Sequence, residues 1–179
     1  MVVIETERLV IRFLTAEDAE FILTLVNEPS FISNIGDRGI RTLEQASNYL
    51  LDGPITSYER NGHGLYAVEL RESRDRIGMC GLLRRPLFDD IDLGYALLPE
   101  YWSRGLAHEA ATAVLEFGHS TLGAARILGL VSPNNIPSIR LLEKMGFDFV
   151  ELRQMKPGEG LPTAIYAHCI RTELHKPPT

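Results

Sequence analysis

The chain has 179 residues, 24 acidic and 18 basic, for a formal net charge of −6, and 45% of it is hydrophobic. That balance describes a single globular domain with apolar mass enough for a core, and it disfavours a nucleic-acid partner, which wants a basic face. No apolar run approaches the ~20 residues of a membrane span.

A modest negative charge is compatible with a cationic substrate such as an amine and equally serves solubility. The opening residues lack the basic region and apolar stretch of a leader peptide. Cys80 and Cys169 stand far apart without ligand spacing. Two buried thiols in a reducing cytoplasm are therefore expected, with no disulfide and no metal.

Residues 8–14 read as a first strand. Thr15-Ala-Glu-Asp18 is a capping-box pattern opening a helix, whose Ala19, Ile22, Leu23 and Val26 keep helical spacing up to Asn27-Glu-Pro29. Residues 31–41, with Gly36, Asp37 and Gly39, read as a loop. Thr42-Leu-Glu-Gln45 is a fuller capping box starting a second helix, which Gly53-Pro54 closes. Residues 64–70 and 77–83 form a hairpin around the polar turn 73–76. Ile91, Leu93, Tyr95 and Leu97 then alternate with Asp92, Gly94 and Ala96, a half-buried strand that must stop at Pro99.

Ser103, Arg104 and Gly105 make a tight turn into a proline-free helix over 106–117. Residues 126–131 are a nearly all-apolar strand, the pattern of one buried on both faces. Asn134-Asn-Ile-Pro-Ser138 starts a helix reaching about Met145, with Gly146 as its cap. Residues 147–152 and 163–170 are the last strands, joined by a polar Gly/Pro loop over 156–162, and residues 175–179 read as a frayed tail. With no repeat and no linker, residues 1–179 are one domain.

The strand, turn and helix over 91–110 carry the chemistry. A helix that starts straight after a tight turn leaves its first amides unpaired at the positive end of the dipole, and small residues such as Gly105 and Ala107 let a phosphate approach. This turn can hold an anion or be a plain strand-to-helix connection. Its wording, Tyr101-Trp-Ser-Arg-Gly-Leu-Ala-His-Glu-Ala110, resembles the coenzyme A pyrophosphate loop of the GNAT N-acetyltransferases, in the branch that acetylates ribosomal-protein N-termini (the RimJ/RimL type). Ser103 stands where that branch carries Gly, a costly exchange if its φ is positive. Asn135-Ile-Pro-Ser138 with Leu142-Glu-Lys-Met-Gly-Phe147, and Glu7-Arg-Leu-Val-Ile-Arg12, resemble two further blocks of the family in the right order.

The resemblance covers about residues 8–170 and implies the GNAT fold, an α/β (α+β) architecture. Its sheet is mixed and mostly antiparallel, with a splayed central strand pair and helices on both faces. It implies acetyl-CoA as co-substrate, with no metal, and transfer of the acetyl group to a primary amine by direct attack in a ternary complex. The acceptor is a protein N-terminus or a small-molecule amine, and the protein is a cytoplasmic monomer or homodimer. The backbones of Leu97 and Leu98 are expected to meet pantetheine. The amides of Ser103, Arg104, Gly105, Leu106, Ala107 and His108 are expected to hold the pyrophosphate. Asn135 caps its helix and adds a hydrogen bond to the pantetheine region.

Many relatives place a Tyr before Glu143 as proton donor, but this chain has Leu142 there. Ser138 is the matching hydroxyl for that role, or a cap. Asp92 is the candidate base, or equally a solvated strand-face carboxylate. Tyr95 is read as core, and Asp37 or Arg38 as an acceptor selector or a polar turn. The missing Tyr and the Ser103 exchange leave open an alternative, a non-catalytic acyl-CoA-binding module.

Overall fold

The computed structural model describes residues 1–155 and 162–170. Eight strands form one sheet in the order β1-β2-β3-β4-β5-β6-β8-β7: β1 Val2–Glu5, β2 Leu9–Phe13, β3 Leu65–Leu70, β4 Arg76–Leu83, β5 Ile91–Leu97, β6 Arg126–Val131, β7 Asp148–Arg153 and β8 Thr163–Cys169. Every neighbouring pair is antiparallel except β5 and β6. That parallel pair is joined only over Ile91–Leu93 and Ile127–Gly129, and beyond Leu93 the two strands part.

Helices cover both faces. α5 (Leu106–Ser120) and α6 (Ile136–Lys144) lie on one, where Leu106, Ala110, Val114 and Leu142 pack with Leu93, Leu97 and Ile127. On the other, α1 (Ala19–Asn27), α2 (Pro29–Asn34) and α3 (Leu43–Leu50) bury Ile22, Leu25, Phe31 and Leu50 against Ala67, Met79 and Ala96. The short α4 (Thr56–Asn61) instead stacks Tyr58 on Phe13 and Tyr66 of the first cluster. Alternation along β5 thus sends Tyr95 and Leu97 to the α5–α6 face, and Asp92, Gly94 and Ala96 to the α1–α3 face.

The mixed sheet and its order of elements match the expected GNAT fold, with three differences. A further strand, β1, precedes the first expected one. Residues 29–34, expected as linker and loop, form α2, because Pro29 sits at the first helical position where its missing N–H costs nothing. Gly53-Pro54 does not end the helix. The chain widens into one π-helical turn, Leu51–Ile55, and the Thr56 hydroxyl donates to the Leu51 carbonyl at 2.7 Å, partly replacing bonding that the proline disrupts. The tail over 175–179 and most of the loop over 156–162 lie outside the described residues.

Asp18 does more than the expected capping. Its buried carboxylate accepts the Thr15 amide at 2.8 Å and both terminal nitrogens of Arg12 at 2.8 Å. Arg12 also donates to Glu69 at 2.6 Å, which ties β2 to β3 and to the start of α1.

Candidate active site

Where β5 and β6 part, main-chain groups are left without a neighbouring strand. The Leu98 amide donates to the Ile77 carbonyl at 2.8 Å, so by ladder alternation the polar groups of Leu97 and Tyr95 point the other way, into the gap. The Leu98 carbonyl accepts the Tyr101 amide at 3.0 Å. Both backbone groups of Leu98 are therefore spent within the fold, and it does not line the gap. Of the two leucines expected there, Leu97 does, and Tyr95 joins it.

The turn after β5 is held by three contacts. The Trp102 indole nitrogen donates to the Leu97 carbonyl at 2.8 Å. The Arg104 guanidinium lies 5.7 Å from the centre of the Tyr101 ring. Arg8 reaches across from the β1–β2 turn and donates to the Arg104 carbonyl at 2.9 Å. Arg8 also grips Glu109 in the first turn of α5, with Nε 2.6 Å from Oε2, and Thr6 donates to Oε1 at 2.6 Å. Burial alone would raise the Glu109 carboxyl, but bonds from Thr6 and Arg8 outweigh it and hold the group below its ordinary range.

With the turn so held, Ser103 has φ 59° and Gly105 φ 77°, both left-handed. The serine carries the cost its Cβ implies, of order 1 kcal/mol. Alternating left-handed residues before a helix turn successive amides inward to form an anion cradle. Glu109 makes the first helical bond, to the Gly105 carbonyl at 3.0 Å, which leaves the amides of Leu106, Ala107 and His108 at the free helix end. Ser103, Gly105, Leu106, Ala107 and His108 all border one cavity of about 580 Å³. The Arg104 side chain does not, since it is drawn onto Tyr101, but that contact does not engage the amide expected to meet the pyrophosphate.

The cavity runs from this cradle past the gap to the far face of the sheet. Asn135 and Ser138 border it from the start of α6, where the Asn135 side chain accepts the Ser138 amide at 3.3 Å, the expected N-cap. The Ser138 hydroxyl is 2.7 Å from the Tyr95 hydroxyl. Tyr95 thus packs on the core yet carries a polar tip into the cavity, which the alternation along β5 could not show. Burial pushes its phenol up to about 12, against the pull of the Ser138 bond. Leu142 is 2% exposed and fills the space above Gly129, where an added Cβ would lie 2.8 Å from it.

Asp92 opens from the other face. It is 1% exposed, not solvated, and Arg85 binds both of its oxygens at 2.7 and 3.2 Å. Burial pushes its carboxyl above the ordinary range, and Arg85 pulls it back in part. Asp92 and Ser138 therefore approach the gap from opposite faces of the sheet. The wall beyond Asp92 carries Glu28, Arg38 and Tyr49. Asp37 turns away to Arg41 at 2.6 Å. Among the described residues no three His, Cys, Asp or Glu side chains gather as metal ligands would.

The residues fit coenzyme A: a cradle of inward amides for the pyrophosphate, and an open strand edge to pair with the amide-bearing arm. Comparison with known proteins agrees. The acetyltransferase (GNAT) domain family matches residues 8–148. The chain is 31% identical over 169 residues to the N-acetyltransferase YoaA of Bacillus subtilis (strain 168), covering 92% of this chain and 95% of that one. A solved acetyltransferase from Agrobacterium tumefaciens strain C58 superposes with a TM-score of 0.76 at 25% identity, over 92% of each chain. RimL, the ribosomal L7/L12 alpha-N-protein acetyltransferase solved with coenzyme A, shares the fold with a TM-score of 0.83 at 14% identity, over 95% of this chain and 98% of that one.

Proposed function

The chain belongs to the GNAT acetyltransferase family, and from that premise we propose that it transfers the acetyl group of acetyl-CoA to a primary amine by direct attack in a ternary complex. The carrying observation is the cavity itself. It joins an amide cradle on the α5 side to a buried carboxylate on the α1–α3 side, through the only parallel strand pair in the described sheet.

Acetyl-CoA supplies an activated acetyl thioester. Ser103, Gly105, Leu106, Ala107 and His108 hold its pyrophosphate, and the Leu97 amide with the main-chain groups of Tyr95 meets the pantetheine arm, the Leu97 carbonyl being taken by Trp102. Two faces leading to one gap let donor and acceptor enter separately and meet, so that binding replaces a bimolecular encounter.

The linked hydroxyls of Tyr95 and Ser138 face the side of the departing sulfur. A thiol ionises near ~8.5, well below a phenol at about 12. Full proton transfer from Tyr95 to the thiolate is therefore uphill. The pair acts by donating a hydrogen bond to the developing charge. Asp92 accepts the amine proton, directly or through water. An α-amine near pKa ~8 is already about one-tenth neutral at pH 7, so the demand on this base is modest. The wording of the pyrophosphate turn favours a protein N-terminus as acceptor, as in the RimJ/RimL branch. The likeness to RimL contributes the fold alone.

Thiol release from acetyl-CoA, followed with a panel of amines and N-terminal peptides, tests the reading. Asp92→Asn is expected to lower the rate on the order of a hundredfold at neutral pH, with recovery at high pH, where the amine is neutral unaided. A raised folded-state pKa contributes stability only below the unfolded value, so at neutral pH ionised Asp92 adds none through this term and the variant is expected to fold. Release with no amine tested, or a variant that behaves as the parent, overturns the assignment.

A further inference from the structure

Three polar side chains on the acceptor wall are unevenly satisfied. Arg38 follows α2, Tyr49 lies on α3 and Arg85 lies between β4 and β5, yet all three border the same end of the cavity. Both guanidinium charges are near enough to act on the Tyr49 phenol. Arg85 is committed to buried Asp92. Arg38 has no carboxylate partner among the described residues, and the Tyr49 hydroxyl has no hydrogen-bond partner among them. Burial raises the phenol, so at neutral pH it remains an O–H donor despite the two cations.

We propose that this corner binds an anionic oxygen group, a carboxylate or a phosphate, carried by the acceptor amine. The inference rests on the acetyl-transfer reading and specifies its substrate class. The charges support it. Asp92 and Arg85 cancel, which leaves Glu28 and Arg38 as the remaining acid and base on that wall. An acceptor with an ammonium at one end and an oxyanion at the other meets both, whereas a polycation meets Arg38 unfavourably. A guanidinium offers a planar fork of donors to either oxyanion, and a neighbouring phenol adds one more. The net charge of −6 is compatible with a cationic acceptor, but it sums the whole surface, and a recognition site answers to the few charges that face it.

The test compares matched acceptors by kcat/KM. ω-Amino carboxylates of increasing length are set against their amides, and aminoalkyl phosphates against amino alcohols. The expected result is a preference of tenfold or more for one anionic series at some chain length. That preference should fall towards unity in Arg38→Gln and persist in part in Arg38→Lys. The series preferred distinguishes carboxylate from phosphate. Equal use of charged and neutral members, or a preference that survives Arg38→Gln, overturns the proposal while leaving acetyl transfer intact. If no amine releases thiol, binding decides. The N-acetylated amino carboxylates must bind the coenzyme A-loaded protein more tightly than their amides, and lose that margin in Arg38→Gln. Equal binding overturns it.

Discussion

At the scale of single residues, the most informative contact is the one between Tyr95 and Ser138. The two hydroxyls, 2.7 Å apart, come from a strand and a helix 43 positions away in the chain. If they act as one donor, their effects will not add. Tyr95→Phe and Ser138→Ala are each expected to lower kcat about tenfold, with the double variant little worse than either. The KM for acetyl-CoA should barely move, because the bond strengthens only as charge develops on sulfur. Additive losses in the cycle would separate the two residues. Loss of the phenol hydroxyl is expected to cost about 1 kcal/mol of stability at most, since its partner faces an open cavity.

At the scale of elements, the turn before α5 is the part most dependent on its neighbours. Arg8, Trp102 and the Thr6–Glu109 bond fix a backbone that Ser103 alone would avoid. Gly105, with φ 77°, accepts a side chain only with strain, so a substitution there confounds binding with folding. Ala107 is the better probe. It lies in the regular first turn of α5 and borders the cavity. Ala107→Glu puts a negative charge where the helix dipole favours one, so the fold should be unharmed. The same charge occupies the cradle that a pyrophosphate needs. Acetyl-CoA at a hundred times its Kd is expected to stabilise the parent by about 2.7 kcal/mol in thermal unfolding and the variant far less. A full response in the variant would move the pyrophosphate elsewhere.

At the scale of the whole molecule, the ionic network around Asp18 predicts how stability responds to acid. Burial would raise the Asp18 carboxyl, but bonds from Arg12, the Thr15 amide and Arg76 outweigh it and hold the group low. Glu109 is also held low. A depressed folded pKa contributes stability that is complete above the unfolded value, near ~4, and lost as pH falls through the folded one. These two groups are therefore expected to leave stability flat from neutral pH to about 5 and to lower it below about 4, against an opposing gain from Asp92, whose raised carboxyl adds stability as pH falls. Asp18→Asn should remove most of that acid dependence and cost about 2 kcal/mol at pH 7, because it leaves half-buried Arg12 with Glu69 as its one remaining carboxylate among the described residues. Chemical unfolding at several pH values measures both, and an unchanged pH profile in the variant would exclude Asp18 as its source.

What the sequence determined is what short-range chemistry encodes. Alternation gave the position of β5, the capping pattern gave Thr42 and Asn135 as helix caps, and the tight turn at Ser103–Gly105 into α5 was legible from its small residues and the helix pattern behind it. Local punctuation also misled, as at Gly53-Pro54, where the chain continues through a π-helical turn whose Leu51 carbonyl accepts both the amide and the hydroxyl of Thr56. Tertiary structure alone decided which candidates meet. Leu98 left the gap because neighbouring groups already take both its amide and its carbonyl. Asp92 proved buried and bound to Arg85, and Arg38 and Tyr49 came to line the same cavity. Spacing along one strand shows which face a side chain takes. It cannot show what a second element brings to that face, because those contacts are fixed by packing between residues far apart in the chain.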